Sequence, residues 1–506
     1  MKKYNVFKIL SISILLTVLL SFLIPATTMD YYGSSTTGSI NPVSIIDTFY
    51  SSITSFGVFL NAFIYILAIG VFYGVLVKTG KYDSVINNTA YKFRNKKGLF
   101  VIVSTLILGI MTVVTGNIFT MVLFAPAFIG VYKKLGYDKI TSVFAVIASI
   151  LLGSAGAFNT TYSNQILNAT VTDNIIAKIL ISLISLVALI IFILVFKKAS
   201  DVELEKEKNS KSLHISIILD IILVLLIIGM VPWNTYFGFE GFNDFHTKLL
   251  ESKVLGVSIF KSLVSGNTAA LGEWTLFELS VITLVATVII VLINRIKVSE
   301  LMETVAKSIR KSLAYAFIVV LANVVLVNVY TSGFFYTLIV NIAKMGDKVF
   351  AGTLLSALAS FVYPDYMYAS QFTLSTITTA LTNQKFLVLL AVIFQTVYSL
   401  FLIVSPTSVL MLLGLKYSEV SYKEWFKYVC KFFLVVFIIN FAIIMIIARK
   451  YISVFSIVLI VILVILLILM IVLCKKGKNK TKKEVKTESK KQKSSKKENA
   501  KKKSKK

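Results

Sequence analysis

Charge is scarce along most of this sequence: acidic and basic residues fill 15% of 506 positions, where a soluble domain carries about 25%. Cysteine (two), histidine (two) and proline (six) are nearly missing as well. Two soluble domains of this length would need polar surface that the chain lacks. With Cys430 and Cys474 as the full complement, a disulfide framework and a CxxC metal motif are excluded. His214 and His246 stand far apart at loop edges, so nothing gathers a histidine metal site. The catalytic signatures G-x-S-x-G and HExxH are absent. A P-loop fails too: five residues separate Gly74 from Gly80-Lys81, and Tyr82 stands where Ser or Thr is required.

What is present is apolar: 57% of residues are hydrophobic and the mean hydropathy is +0.84. The apolar residues fall in long blocks, many near the roughly 20 residues that cross a bilayer. The net charge of +28 suggests nucleic acid only until it is located, since residues 475–506 hold 17 lysines and three glutamates. That tail has almost nothing to bury and reads as a disordered cytoplasmic segment for anionic lipid. No nucleic-acid partner is expected.

Positive charge orients the blocks. Met1-Lys2-Lys3, Lys78–Lys97, Lys133–Lys139, Lys197–Lys211, Arg295–Lys311, Lys416–Lys427 and the tail belong inside, which puts both termini in the cytoplasm. The stretch 26–57 has no Lys or Arg and reads as an external loop, as does 233–277. Pro25-Ala26-Thr27 is a poor cleavage site, so the first block is expected to be an uncleaved span. This bookkeeping works only if 99–138 and 349–384 are re-entrant hairpins, one opening to each side.

An internal repeat accounts for the pair. Span 58–78, arm 79–98, hairpin 99–138, broken span 140–167 and span 174–197 are answered by 312–330, 331–348, 349–384, 386–416 and 424–448, at an offset of about 246 to 254 residues. The expected fold is therefore an all-α polytopic membrane protein of two inverted repeats with re-entrant hairpins and broken helices, plus one extra C-terminal span. The segments are 1–57 (first span and external loop), 58–197 (repeat 1), 198–311 (linker with two spans), 312–448 (repeat 2), 449–474 (extra span) and 475–506 (tail).

Chemistry is expected where the spans break. Gly153 to Gln165 sets two glycines among hydroxyl and amide side chains, tolerable at membrane depth only against protein or a wet cavity. Ser405-Pro406-Thr407-Ser408 reads as the start of a new half-helix, with Ser405 as N-cap and Pro406 at the first helical position. Its free N–H groups would receive an anion. The hairpin tips are Thr115-Gly116-Asn117 and Tyr363-Pro364-Asp365-Tyr366, and Asp365 is the acidic residue of the hairpin cores. The expected substrate and ion ligands are Thr115, Gly116, Asn117, Asn159, Thr160, Thr161, Asp365, Ser405 and Thr407. No cofactor is expected beyond Na⁺ or H⁺ as coupling ion, with any Na⁺ at the same broken helices.

Gly74-Val75-Leu76-Val77-Lys78-Thr79-Gly80, Leu271-Gly272-Glu273-Trp274, Ser405-Pro406-Thr407-Ser408 and Tyr422-Lys423-Glu424-Trp425-Phe426-Lys427 together resemble the anaerobic C4-dicarboxylate carrier family, in its YfcC-like branch, from about Lys8 to Arg449. The resemblance implies the ion transporter superfamily and a dimer whose transport domain moves past a fixed scaffold. It departs from the family at Thr115-Gly116-Asn117, where acidic residues are usual, at Tyr363-Pro364-Asp365-Tyr366, and at Val397–Phe401. The expected function is secondary transport of a small carboxylate or amino acid across the inner membrane, with the homodimer as what the resemblance implies. The alternatives are a membrane-embedded enzyme acting on a lipid-linked substrate, for which loop 233–277 offers Asp244, His246, Glu251 and Glu273, or a transport-like sensor.

Overall fold

The computed structural model describes residues 5–29, 35–158, 160–207, 213–381 and 383–469. Asn159 and the tail 475–506 lie outside the described residues, as does the end of the extra span. The described chain is overwhelmingly helical, with one short antiparallel ribbon of β1 (Thr27–Met29) and β2 (Ser35–Thr37).

Helix α1 (Asn5–Ser21) leads through the ribbon to α2 (Ile45–Val58). The second helix is a correction, because 26–57 was expected as loop. It opens on a capping box, Ser44 Oγ accepting from Asp47 N at 3.1 Å while the Asp47 carboxylate accepts from Ser44 N at 2.8 Å. Its buried residues are serines, and Ser55 Oγ donates to Val320 O at 2.7 Å. Apolar periodicity could not reveal a helix whose inner face is hydroxyl.

The first repeat runs α3 (Leu60–Lys78), α4 (Tyr82–Phe93), α5 (Lys97–Thr115), α6 (Ala125–Lys134), α7 (Lys139–Ala155), α8 (Thr161–Leu167) and α9 (Ile175–Phe196). A linker follows with α10 (Leu213–Met230), α11 (Trp233–Phe237), α12 (Gly241–Glu251), α13 (Ile259–Val264) and α14 (Leu276–Ile293). The second repeat matches the first in order: α15 (Val298–Ser332), α16 (Phe334–Ala343), α17 (Lys348–Val362), α18 (Tyr366–Ala380), α19 (Gln384–Phe401), α20 (Val409–Ser418) and α21 (Tyr422–Ile447). Helix α22 (Val454–Leu469), a shorter apolar helix, falls within the expected extra span 449–474. Among the described residues eight helices (α3, α5, α9, α10, α14, α15, α19 and α21) are long and apolar enough to cross a membrane.

The inversion is visible in the packing. Helices α9 and α21 run antiparallel: Lys197 Nζ, just past the end of α9, sits 3.8 Å from the Tyr428 ring centre, and Asn440 Nδ2 donates to Ser185 Oγ at 2.9 Å. The mouth of hairpin α5–α6 lies beside the end of α9, where Ser200 N donates to Gly136 O and Lys97 Nζ to Ser200 O. The mouth of hairpin α17–α18 lies beside the end of α21, where the Phe386 and Tyr451 rings are 5.1 Å apart. The two hairpins therefore open at opposite ends of the bundle.

Helix α15 starts at Val298, a correction to the expected span 312–330 with a basic loop before it. Its first turns project past the apolar span, which charge alone reads as loop. Helices α3 and α15 cross very closely: a Cβ on Gly70 would lie 1.8 Å from Ser312 Oγ, and one on Gly74 1.8 Å from Ser308 Oγ. The Lys78–Glu300 ion pair, 3.2 Å, closes the end of that crossing.

Asp347 joins α22 to the second hairpin. It is fully buried, and its carboxylate accepts from Phe350 N at 2.9 Å, capping α17. The same carboxylate accepts from Ser456 N at 2.7 Å, Ser456 Oγ at 2.8 Å and Ser453 N at 3.2 Å, capping α22.

Candidate functional site

Each repeat ties its helix break to its own hairpin tip. In the first, α7 stops at Ala155 and α8 begins at Thr161, and Phe158 N between them donates to Val113 O at 2.8 Å. Gly153 and Gly156 serve close approach here: added Cβ atoms would lie 2.3 Å from Gly109 O and 2.2 Å from Ser182 Oγ. Thr160 Oγ1 donates to Asn164 Oδ1 at 2.8 Å and is buried. Thr161 opens α8, its side chain lying outside the described residues together with all of Asn159.

In the second repeat α19 stops at Phe401 and α20 begins at Val409. The expected start at Ser405-Pro406 is corrected: Ser408 occupies the N-cap position and makes no side-chain cap bond. The Ser405 and Thr407 hydroxyls are spent on the end of α17 instead, Ser405 Oγ donating to Ser360 O at 2.8 Å and Thr407 Oγ1 to Phe361 O at 3.1 Å. Tyr398 OH adds a third bond, to Tyr363 O at 2.8 Å. Carbonyls at a buried helix end need such donors, and they outcompete the local cap.

The tips are closed by local bonds. Gly116 takes a left-handed φ of 69° to end α5, Thr115 Oγ1 donates to Met111 O at 2.7 Å, and Asn117 Oδ1 accepts from Phe119 N at 2.8 Å. Asp365 caps α18, one carboxylate oxygen accepting from Met367 N at 2.9 Å and Tyr368 N at 3.2 Å. Tyr366 OH crosses to the other repeat and donates to Ser163 Oγ at 2.9 Å.

Two cavities flank this assembly at opposite ends of the α3–α15 wall. The larger, about 600 Å³, is lined by Lys78, Lys307, Lys311, Glu303 and several tyrosines. The smaller, about 260 Å³, is lined by Asp365, Asn61, Asn323, Phe59, Tyr162 and Tyr368 among others. Little separates them: Phe119 and Val409 border the smaller, Val122 and Leu410 the larger.

Of the expected ligands, Asp365 reaches a cavity. Thr115, Gly116, Asn117, Thr160, Ser405 and Thr407 border neither of these two cavities. Sequence reasoning missed Asn323 and Gln395, buried amides inside apolar runs, a signal it could have weighed. Gln395 Nε2 donates to Ser154 O at 2.6 Å; Gln395 Oε1, Asn323 Oδ1 and Ser408 Oγ are buried without a partner among the described residues. No cluster of three or more His, Cys, Asp or Glu able to hold a metal occurs among the described residues.

Residues 6–449 match the family described as C4-dicarboxylate anaerobic carrier. The chain belongs to this family. It is accordingly a multi-pass membrane carrier, and α22 lies beyond the matched region. No curated protein matches it in sequence. Among solved structures it is similar to the Alcanivorax borkumensis YdaH transporter, with 11% identity and a TM-score of 0.37 over 87% of this chain and 97% of that one. It is also similar to Neisseria gonorrhoeae MtrF, described with a class of antimetabolite efflux pumps, with 14% identity and a TM-score of 0.33 over 87% of this chain and 94% of that one.

Proposed function

We propose that this carrier is a secondary active transporter of a small carboxylate or amino acid, coupled to Na⁺ or H⁺ and working by an elevator-type movement. The observation that carries the reading is the pair of cavities separated by a thin barrier, Phe119 and Val409 bordering one side and Val122 and Leu410 the other. Alternating access needs such a wall between its two sides. Each hairpin is bonded to the break of its own repeat, so hairpins and broken helices form a body that can shift against the α3–α15 wall as a unit. The family description supports a carboxylate as substrate. The basic loops support a cytoplasmic-membrane orientation with both termini inside, the Lys-rich tail supports contact with anionic lipid, and family membership supports a homodimer.

Purified protein reconstituted into vesicles should take up a labelled carboxylate or amino acid in response to an imposed Na⁺ or pH gradient, and should exchange internal for external solute. Absence of gradient-driven uptake and of exchange across a broad panel would sink the reading.

A further inference from the structure

Resting on that carrier reading, we infer that the smaller cavity binds an ammonium group, so that the solute is an amine or a zwitterionic amino acid and not a dicarboxylate.

The lining offers hydrogen-bond acceptors without matching donors of charge. Asp365 brings a carboxylate, and the residues around it include no Lys, Arg or His. One Asp365 oxygen is engaged by the backbone of α18; its partner oxygen accepts no hydrogen bond from the described residues. Asn323 is 2% exposed, donates through Nδ2 to Val319 O at 2.9 Å, and leaves Oδ1 without a donor. A buried amide oxygen and half of a carboxylate that both lack donors are completed by a guest rich in N–H, and an alkylammonium carries three. Aromatic rings complete the chemistry: Phe59 and Tyr368 meet edge to face at 5.4 Å, with Tyr162 beside them in the lining. Rings of this kind stabilise a desolvated cation through their faces.

A dicarboxylate meets the opposite situation. Its charge would face Asp365 in a lining that holds neutral donors such as Asn61 and Tyr368 but no cation to balance it. The counter-charge for a carboxylate lies across the barrier, where Lys307 and Lys311 line the larger cavity. A solute with both charges suits both ends of the path.

The test is a thermal-shift and calorimetric titration of the purified full chain, with the twenty free amino acids, putrescine and succinate as probes at fixed Na⁺, beside a titration with Na⁺ alone. Asp365→Asn is the control variant, since Asn caps a helix as well as Asp and preserves the fold. The expected result is stabilisation by one or more of the amines, none by succinate, and at least a tenfold weaker amine affinity in Asp365→Asn. Succinate stabilising wild type and variant alike, with amines silent, overturns the inference and leaves the carrier reading standing. Amines binding both proteins equally also overturns it, as does an Asp365-dependent response to Na⁺ alone. Silence from every probe together with no uptake in vesicles removes both readings.

Discussion

The hydroxyls of Ser154 and Ser399 meet at 3.0 Å, and the two residues hold the same position in the two repeats. Helix α7 is capped by Asp138 and α19 by Asn383, and each serine lies sixteen residues past its cap. A residue bonded to its own repeat equivalent must sit on or near the axis relating the repeats. Gln395, which reaches Ser154 O, reinforces this point from one side only. The axis therefore passes through the crossing of the two helices that lead into the breaks.

Breaking that contact should be felt as coupling. Ser154→Ala and Ser399→Ala should each destabilise, and the double variant should cost less than their sum, by about 0.6 kcal/mol as is usual for hydrogen bonds between membrane helices. Unfolding of the four proteins in mixed micelles gives the cycle; strict additivity would place the serines out of contact.

Opposite hairpin mouths predict opposite labelling. Cysteines placed at Lys134 and Lys385, in a background with Cys430 and Cys474 replaced by serine, should react with an impermeant reagent from different faces of the membrane. Reaction of both from one face would undo the inverted repeat.

The α3–α15 crossing should reject even one methyl group. Gly74→Ala drives a Cβ into Ser308 Oγ and should destabilise by about 1–3 kcal/mol. Adding Ser308→Ala removes that oxygen and should restore part of the loss. A Gly74→Ala variant as stable as wild type in thermal unfolding would mean that the helices stand further apart.

Ser405→Ala and Thr407→Val each remove a donor from the buried carbonyl end of α17; Thr407→Val leaves Phe361 O unsatisfied and should destabilise by roughly 1–3 kcal/mol, and Ser405→Ala by less, because Thr407 Oγ1 also reaches Ser360 O at 3.3 Å. Transport should fall in both variants, with hydrogen exchange rising at residues 358–362. Unchanged exchange there would show that the hydroxyls do not hold the tip.

Asp347 gives a pH dependence. Burial pushes its carboxyl up, but the hydrogen bonds from Phe350, Ser456 and Ser453 outweigh burial and hold it below its ordinary value of 3.8. Its stabilisation is thus fully present above 3.8 and is lost as pH falls through the lower folded-state value. The difference in apparent Tm between wild type and Asp347→Asn should be flat from about pH 8 to pH 5 and shrink below the ordinary carboxylate range. A difference that widens on acidification would contradict the assignment.

The fold was legible because a bilayer imposes coarse rules: long apolar blocks, basic loops and a fixed offset suffice to place the hairpins and breaks. Asp138 and Asn383, which cap the equivalent helices, lie 245 residues apart, one short of that offset. Failures came where a residue's role depends on a distant partner. Ser405 looks like a cap in its own sequence and becomes a donor to Ser360 only when α17 arrives beside it. Ser51 and Ser55 conceal α2 because their burial depends on α15. The smaller cavity draws Asn61, Asn323 and Asp365 from three distant segments, and no spacing along the chain relates them.

Asp347 lies inside the region that defines the family, yet most of its hydrogen-bond donors come from Ser453 and Ser456, beyond the last matched residue. The family-matched region and the helix beyond it thus share a single charged residue, and removing α22 would leave that buried carboxylate short of most of its donors. Relatives that end near position 449 should carry something other than an acid at the equivalent of Asp347, or supply its donors from another strand of their history.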